Sequence, residues 1–89
     1  MMSYDYRQID SVARRQNGVK ACEIVSIDPD RGLCLLVPGL ETVFVKPMDF
    51  EIGNYGVGQW VDCVIWVTNG HISSCQYIGM TPPKFIPEE

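Results

Sequence analysis

The side chains best suited to chemistry in this sequence are four cysteines and one histidine. Cys22, Cys34, Cys63 and Cys75 stand one in each of four apolar runs, and none of them belongs to the closely spaced cysteine pair that zinc sites favour. His71 is the only histidine, and it follows a turn signal at the start of a predicted strand, where a lone histidine is explained as an ordinary strand residue. Buried thiols that pack as small apolar side chains therefore explain the cysteines better than a metal site or disulfides do.

The acidic residues give no catalytic pattern either. Asp28 and Asp30 flank Pro29 in a stretch with the composition of a turn, which explains them without catalysis. The sequence shows no Ser/His/Asp order, no carboxylate pair in an evident cleft, and no glycine-rich phosphate loop that leads into a helix. We therefore expect a protein that is not an enzyme, with no catalytic residue, no cofactor, no metal and no small-molecule substrate.

Recognition by aromatic and basic side chains is the remaining chemistry, and it needs strands to present them. Residues 33–50 alternate with period 2 around the turn Pro38-Gly39, which predicts a hairpin with apolar side chains on one face and Phe44 and Lys46 on the other. A lone hairpin is marginal in water, so other strands must close over the same core. The pattern predicts a small barrel or sandwich.

Three further strands are predicted around that hairpin. Ile24 and Ile27 lie three residues apart in the first strand, so we expect a bulge that bends it. Asn69-Gly70 is a strong hairpin signal between the last two strands, and residues 51–58 are rich in glycine, as in a long loop. These three strands span residues 19–27, 60–68 and 71–78.

The two ends of the chain differ from this barrel in character. Residues 5–16 have the pattern of a short amphipathic helix, whose Arg14 and Arg15 serve either as helix-capping cations or as a small basic patch. Three prolines near the C-terminus predict an extended tail. A chain of 89 residues has room for one domain. Its predicted parts are a helical extension at 1–17, a barrel at 18–78 and a proline-rich tail at 79–89.

The net charge of −4 limits the partners of this protein. A protein that binds phosphate backbones by charge alone has an excess of basic residues, which this chain lacks. Binding to nucleic acid would therefore depend on the local placement of cations. The sequence has no apolar run of membrane-spanning length and no pattern of a secretory leader. We expect a cytoplasmic protein without a membrane partner.

Short motifs follow one another along the predicted strands in a set order. They are Ile24 and Ile27, Gly32, and the segments 38–41, 43–46, 57–63 and 71–73. In this order and spacing, from Cys22 to Tyr77, the sequence resembles the S1 RNA-binding domain, a family of OB-fold barrels. The resemblance implies an all-β fold, a five-stranded OB-type (S1-like) barrel, here with a short N-terminal helix and an extended C-terminal tail.

The resemblance also implies a ligand and a face that binds it. In S1 domains single-stranded RNA lies across the second and third strands, where bases stack on aromatic rings and cations follow the phosphates. Such a module acts alone or within a transcription, translation or ribonucleoprotein assembly. The residues assigned to RNA contact are Phe44 and Lys46 on the third strand, Tyr55 in the long loop, His71 at a position where the family often has arginine, and Arg31.

Two departures from the family pattern leave alternatives open. Cys34 stands where the family has an aromatic residue on the second strand, so half of the stacking platform is missing. An extra residue near Thr42 would allow a slip of the register by one, which would turn Phe44 into the core.

The fourth strand supports a rival interpretation as a protein-interaction module. Trp66, Val64 and Trp60 share its outward face, which either the N-terminal helix covers or a protein partner binds. The negative charge and the missing aromatic residue favour an adaptor or inhibitor that docks on a larger nucleic-acid-processing protein. An SH3-like barrel has a similar number of strands and stays open as a fold.

Overall fold

One antiparallel sheet of five strands forms the body of the protein. The computed structural model describes Arg14 and residues 18–87. The strands are β1 (Val19–Asp28), β2 (Gly32–Leu36), β3 (Thr42–Val45), β4 (Trp60–Thr68) and β5 (His71–Met80). Their order in the sheet is β3-β2-β1-β4-β5, and the sheet curls until its two edge strands, β3 and β5, contact each other. The result is a half-barrel.

The inner side of the curl holds the core because alternate residues of each strand point there. Ile24 of β1 lies opposite Leu35 of β2, which in turn lies opposite Val43 of β3. Each fully buried side chain of this size contributes about 1.5–3 kcal/mol. The buried core residues are Cys22, Ile24, Leu33, Leu35, Val37, Val61, Cys63 and Ile65.

Local sequence signals set the bends and turns of this sheet. The register between β1 and β2 shifts between Ile24 and Ser26, which confirms the predicted bulge. Asn69 and Gly70 have positive φ angles of 53° and 80°, and they connect β4 to β5 as the predicted tight hairpin. The all-β, five-stranded expectation therefore holds.

Several boundaries differ from the sequence prediction. β3 ends at Val45, so residues 46–50 leave the sheet, whereas β5 continues to Met80. The tail is not extended throughout, since Pro83–Phe85 form a 3-10 turn, and a second such turn, Ile52–Asn54, lies in the predicted loop. Of the helix predicted at 5–16, all but Arg14 lies outside the described residues. No helix in the described part of the chain is long and apolar enough to cross a membrane.

Candidate nucleic-acid interface

Phe44 lies on the outer side of the sheet, as the alternation in its strand predicts. Its neighbours Val43 and Val45 pack against the core, while the Phe44 side chain is 40% exposed. Phe44 lies opposite Cys34, and Cys34 lies opposite Ser26, so one outward row crosses three strands. The register slip that would bury Phe44 does not occur.

Arg31 covers the ring of Phe44. The central carbon of its guanidinium lies 4.4 Å from the ring centroid, a cation–π contact of about 0.5–1 kcal/mol at an exposed site. The turn between β1 and β2 sets this position, because Asp28 Oδ1 accepts the backbone N–H groups of Asp30 at 2.8 Å and Arg31 at 2.9 Å. The same two hydrogen bonds lower the pKa of Asp28, with a smaller contribution from the Arg31 charge.

Lys46 follows β3 directly and stands beside the same turn. Its Cα would lie 2.8 Å from a Cβ placed on Gly32, so the backbone of Lys46 crosses close to the residue after Arg31. The Lys46 side chain is exposed. Phe44, Arg31 and Lys46, together with the exposed Val25 and Leu36 of β1 and β2, form what we call the outer face.

Tyr55 and His71 do not join this outer face. The ring of Tyr55 stacks on Phe50 at 5.6 Å and meets Tyr77 edge-on at 6.3 Å, so it packs against the core. The side chain of His71 is exposed, but its Nδ1 lies 3.6 Å from Glu41 Oε2. The structure thus brings together three of the five residues assigned to RNA contact.

Trp66 forms a second exposed apolar site, on β4. Trp66 lies on the outer side of the sheet and is 47% exposed, whereas Val67, which is 45% exposed, lies opposite Ile72 on the inner side at the end of the strand. Val64 and Trp60 precede Trp66 on β4 and are half-buried. We call the exposed surface of Trp66 the tryptophan patch.

Asp62 lies between Trp60 and Val64 on β4, yet it is completely buried. Its Oδ1 pairs with the guanidinium of Arg14 and accepts a hydrogen bond from Thr81 Oγ1 at 2.9 Å. The guanidinium of Arg14 also lies 4.2 Å from the ring centroid of Phe85, so the tail packs over this pair. Sequence reasoning missed this cluster and gave Arg14 a surface role. The available signal was a carboxylate inside an apolar stripe, which requires a partner.

A groove lies between the two edge strands beyond the place where they contact each other. At one end Glu41 bridges them, since its Oε1 accepts the backbone N–H of Ile72 at 2.7 Å. This hydrogen bond lowers the pKa of Glu41, and His71 acts in the same direction. Farther along, a cavity of about 490 Å³, which we call the seam groove, is lined by Val45, Lys46, Pro47, Met48, Cys75, Gln76, Tyr77 and Ile78.

Comparison with known proteins adds no family to this description. A scan against protein-family models finds no matching family, and searches of curated proteins and of solved structures find no similar protein.

Proposed function

We propose that this protein is an S1-like OB barrel that binds single-stranded RNA on its outer face. The strand order supports the fold assignment, because β3 contacts β5 at the seam and the order of the five strands around the curl is compatible with a partly open Greek-key barrel. The observation that carries the function is the exposed Phe44 ring beneath the Arg31 guanidinium, with Lys46 next to them.

Arg31 determines how a base would bind. Because its guanidinium already covers Phe44, the base stacks on the open side of that guanidinium and extends the stack by one layer. Asp28 Oδ2 lies 3.8 Å from Arg31 Nε, a weak exposed ion pair within the same turn. The cations of Arg31 and Lys46 then contact the neighbouring phosphates.

This geometry predicts a short footprint and weak binding. One stacked base contributes about 1–3 kcal/mol, so with two cations we expect a Kd on the order of 0.1–1 mM. Two phosphate contacts give a slope of about −1.4 in a plot of log K against log salt concentration for a single strand. The negative net charge of the chain adds no long-range attraction.

Fluorescence anisotropy with a labelled RNA octanucleotide tests this proposal on matched variants. Phe44→Leu removes the ring and Arg31→Lys keeps the charge but loses the stacking plane, so each should weaken binding by at least about fivefold. Trp66 lies outside the outer face, so Trp66→Ala should leave the affinity for RNA unchanged. Equal affinities for wild type, Phe44→Leu and Arg31→Lys would refute the proposal.

The tryptophan patch supports a second candidate function, a protein-interaction module that acts as an adaptor or inhibitor. Trp66 is 47% exposed on the outer side of β4, and tryptophan is enriched at interfaces. Binding of a nucleic-acid-processing protein through this patch would be lost in Trp66→Ala and would change little with salt. RNA binding by the outer face should instead persist in Trp66→Ala and should weaken as salt is added.

A further inference from the structure

A cavity of about 250 Å³ lies between the start of β1 and the C-terminal tail. We call it the tail pocket. The apolar residues that line it include Val19, Ala21, Pro38 and Phe85, and the charged residues that line it are Arg14 and Lys20. A cavity of about 150 Å³ can hold benzene, so the tail pocket has room for a ring that carries a small polar group.

Arg14 brings an unused hydrogen-bond donor to the wall of this pocket. The residue is only 5% exposed, and its Nη2 pairs with Asp62 Oδ1. Its Nη1 is buried and has no hydrogen-bond partner among the described residues, and the same holds for Asp62 Oδ2, so the ion pair is joined on one side only. A buried charged donor without an acceptor is unfavourable. An oxygen acceptor brought by a ligand would therefore be stabilised at Nη1.

The charges around the tail pocket also favour an anion. Asp62 balances Arg14, but Lys20 makes no ion pair in the described part of the chain. A further cation stands close by, since Lys84 Nζ lies 5.1 Å from the ring centroid of Phe85. None of the described lining residues is acidic. The pocket is therefore locally positive although the chain as a whole has a net charge of −4.

We propose that the tail pocket binds small organic carboxylates with a flat apolar body. The carboxylate accepts a hydrogen bond from Arg14 Nη1 and is attracted by Lys20, because hydrogen bonds between ionised partners are the stronger ones. The apolar body packs against Val19, Ala21 and Phe85. This binding site is separate from the proposed RNA contacts, since none of its residues belongs to the outer face.

NMR titration of the labelled full chain with sodium benzoate tests the proposal, with sodium chloride added to hold the ionic strength constant. We expect amide shifts at Lys20, Ala21 and Phe85 and, for so small a ligand, a Kd on the order of 1 mM. Benzamide has the same shape without the charge and should bind at least about tenfold more weakly. Equal binding of benzamide, or no shift at these residues at about 20 mM benzoate, would overturn the proposal.

Two variants locate the carboxylate. Lys20→Gln changes an exposed side chain and should weaken benzoate binding about threefold. Thr68→Glu is the control, because it lowers the net charge by the same amount at an exposed position outside the pocket and should leave the affinity for benzoate unchanged. Equal affinities in wild type and Lys20→Gln, or equal losses in Lys20→Gln and Thr68→Glu, would overturn the site.

Arg14→Lys tests the buried donor itself. Lysine keeps a positive charge beside Asp62 but lacks the second arm of the guanidinium, so benzoate binding should weaken at least about tenfold. An NMR amide spectrum verifies the fold of this variant. Unchanged binding in the folded variant would overturn the role of Nη1, and if Arg14→Lys does not fold, the comparison of Lys20→Gln with Thr68→Glu decides.

Discussion

Asp62 is the residue whose removal should damage the fold most. Its carboxylate is completely buried and faces the buried guanidinium of Arg14. Asp62→Ala leaves the buried guanidinium of Arg14 without its carboxylate partner. We therefore expect the free energy of unfolding, measured by urea denaturation, to fall by about 3–5 kcal/mol.

Two further variants separate the ion pair from a general effect of mutation. Asp30→Ala changes an exposed carboxylate in a turn and should alter stability by no more than about 0.5 kcal/mol. The double variant Arg14→Leu/Asp62→Leu removes both charges and should cost much less than Asp62→Ala alone. A loss in Asp62→Ala as small as that in Asp30→Ala would contradict the buried pair.

Phe44 and Tyr55 show how far the sequence determines single residues. The alternation of Val43, Phe44 and Val45 predicts an outward Phe44, and the structure confirms it because strand periodicity is a local property. Tyr55 lies in a loop, and its position depends on Phe50 and on the distant Tyr77. Contacts of that kind leave no periodic signal in the sequence.

Among the elements, the turn from β1 into β2 depends most strictly on one residue. Gly32 has a φ of +93°, and a Cβ there would lie 2.5 Å from the backbone oxygen of Val45. We expect Gly32→Ala to lower the free energy of unfolding by about 2–4 kcal/mol, because a left-handed conformation and a backbone clash add together.

Gly39 is the matched control for Gly32. It also has a positive φ, +76°, but a Cβ there meets nothing within 4 Å. Gly39→Ala should therefore lower the free energy of unfolding by only about 1 kcal/mol, because only the backbone conformation is unfavourable. If thermal or urea denaturation shows that both variants lose the same free energy of unfolding, then the end of β3 does not approach Gly32 as described.

The Glu41 bridge between β3 and β5 should depend on pH. Hydrogen bonding to Ile72 places the folded pKa of Glu41 below its ordinary 4.5, so the bridge stabilises the seam above that pH and is lost as pH falls through the folded value. The Ile72 amide shift, followed by NMR, should titrate with a midpoint below 4.5. Glu41→Gln keeps an acceptor and should remove this titration. A wild-type midpoint at or above the ordinary value would contradict the bridge.

Element boundaries were predicted best where strong turn residues set them. β4 begins and ends as predicted, at Trp60 and Thr68, because the glycine-rich loop and Asn69-Gly70 define its limits. The early end of β3 was missed, since it depends on the crossing of Lys46 past Gly32, a contact between distant segments.

At the scale of the whole molecule, the half-barrel has three surfaces, of which the outer face and the seam groove share Lys46. The outer face lies on β1, β2 and β3, the tryptophan patch lies on β4, and the seam groove lies between β3 and β5. Strand count and alternation predicted an all-β barrel, but the open seam and the burial of Asp62 under the tail arise from how distant segments pack. Because the chain has a net charge of −4, the proposed RNA binding would depend on the local cations Arg31 and Lys46 and not on overall charge.

An NMR titration of the labelled full chain with a single-stranded RNA octanucleotide tests the central claim most directly. We expect amide shifts at Phe44, Arg31 and Lys46, with Trp66 and Tyr55 unchanged, and binding about tenfold weaker at about 300 mM salt than at about 50 mM. No shifts at millimolar RNA, or shifts centred on Trp66 that do not change with salt, would contradict RNA binding by the outer face.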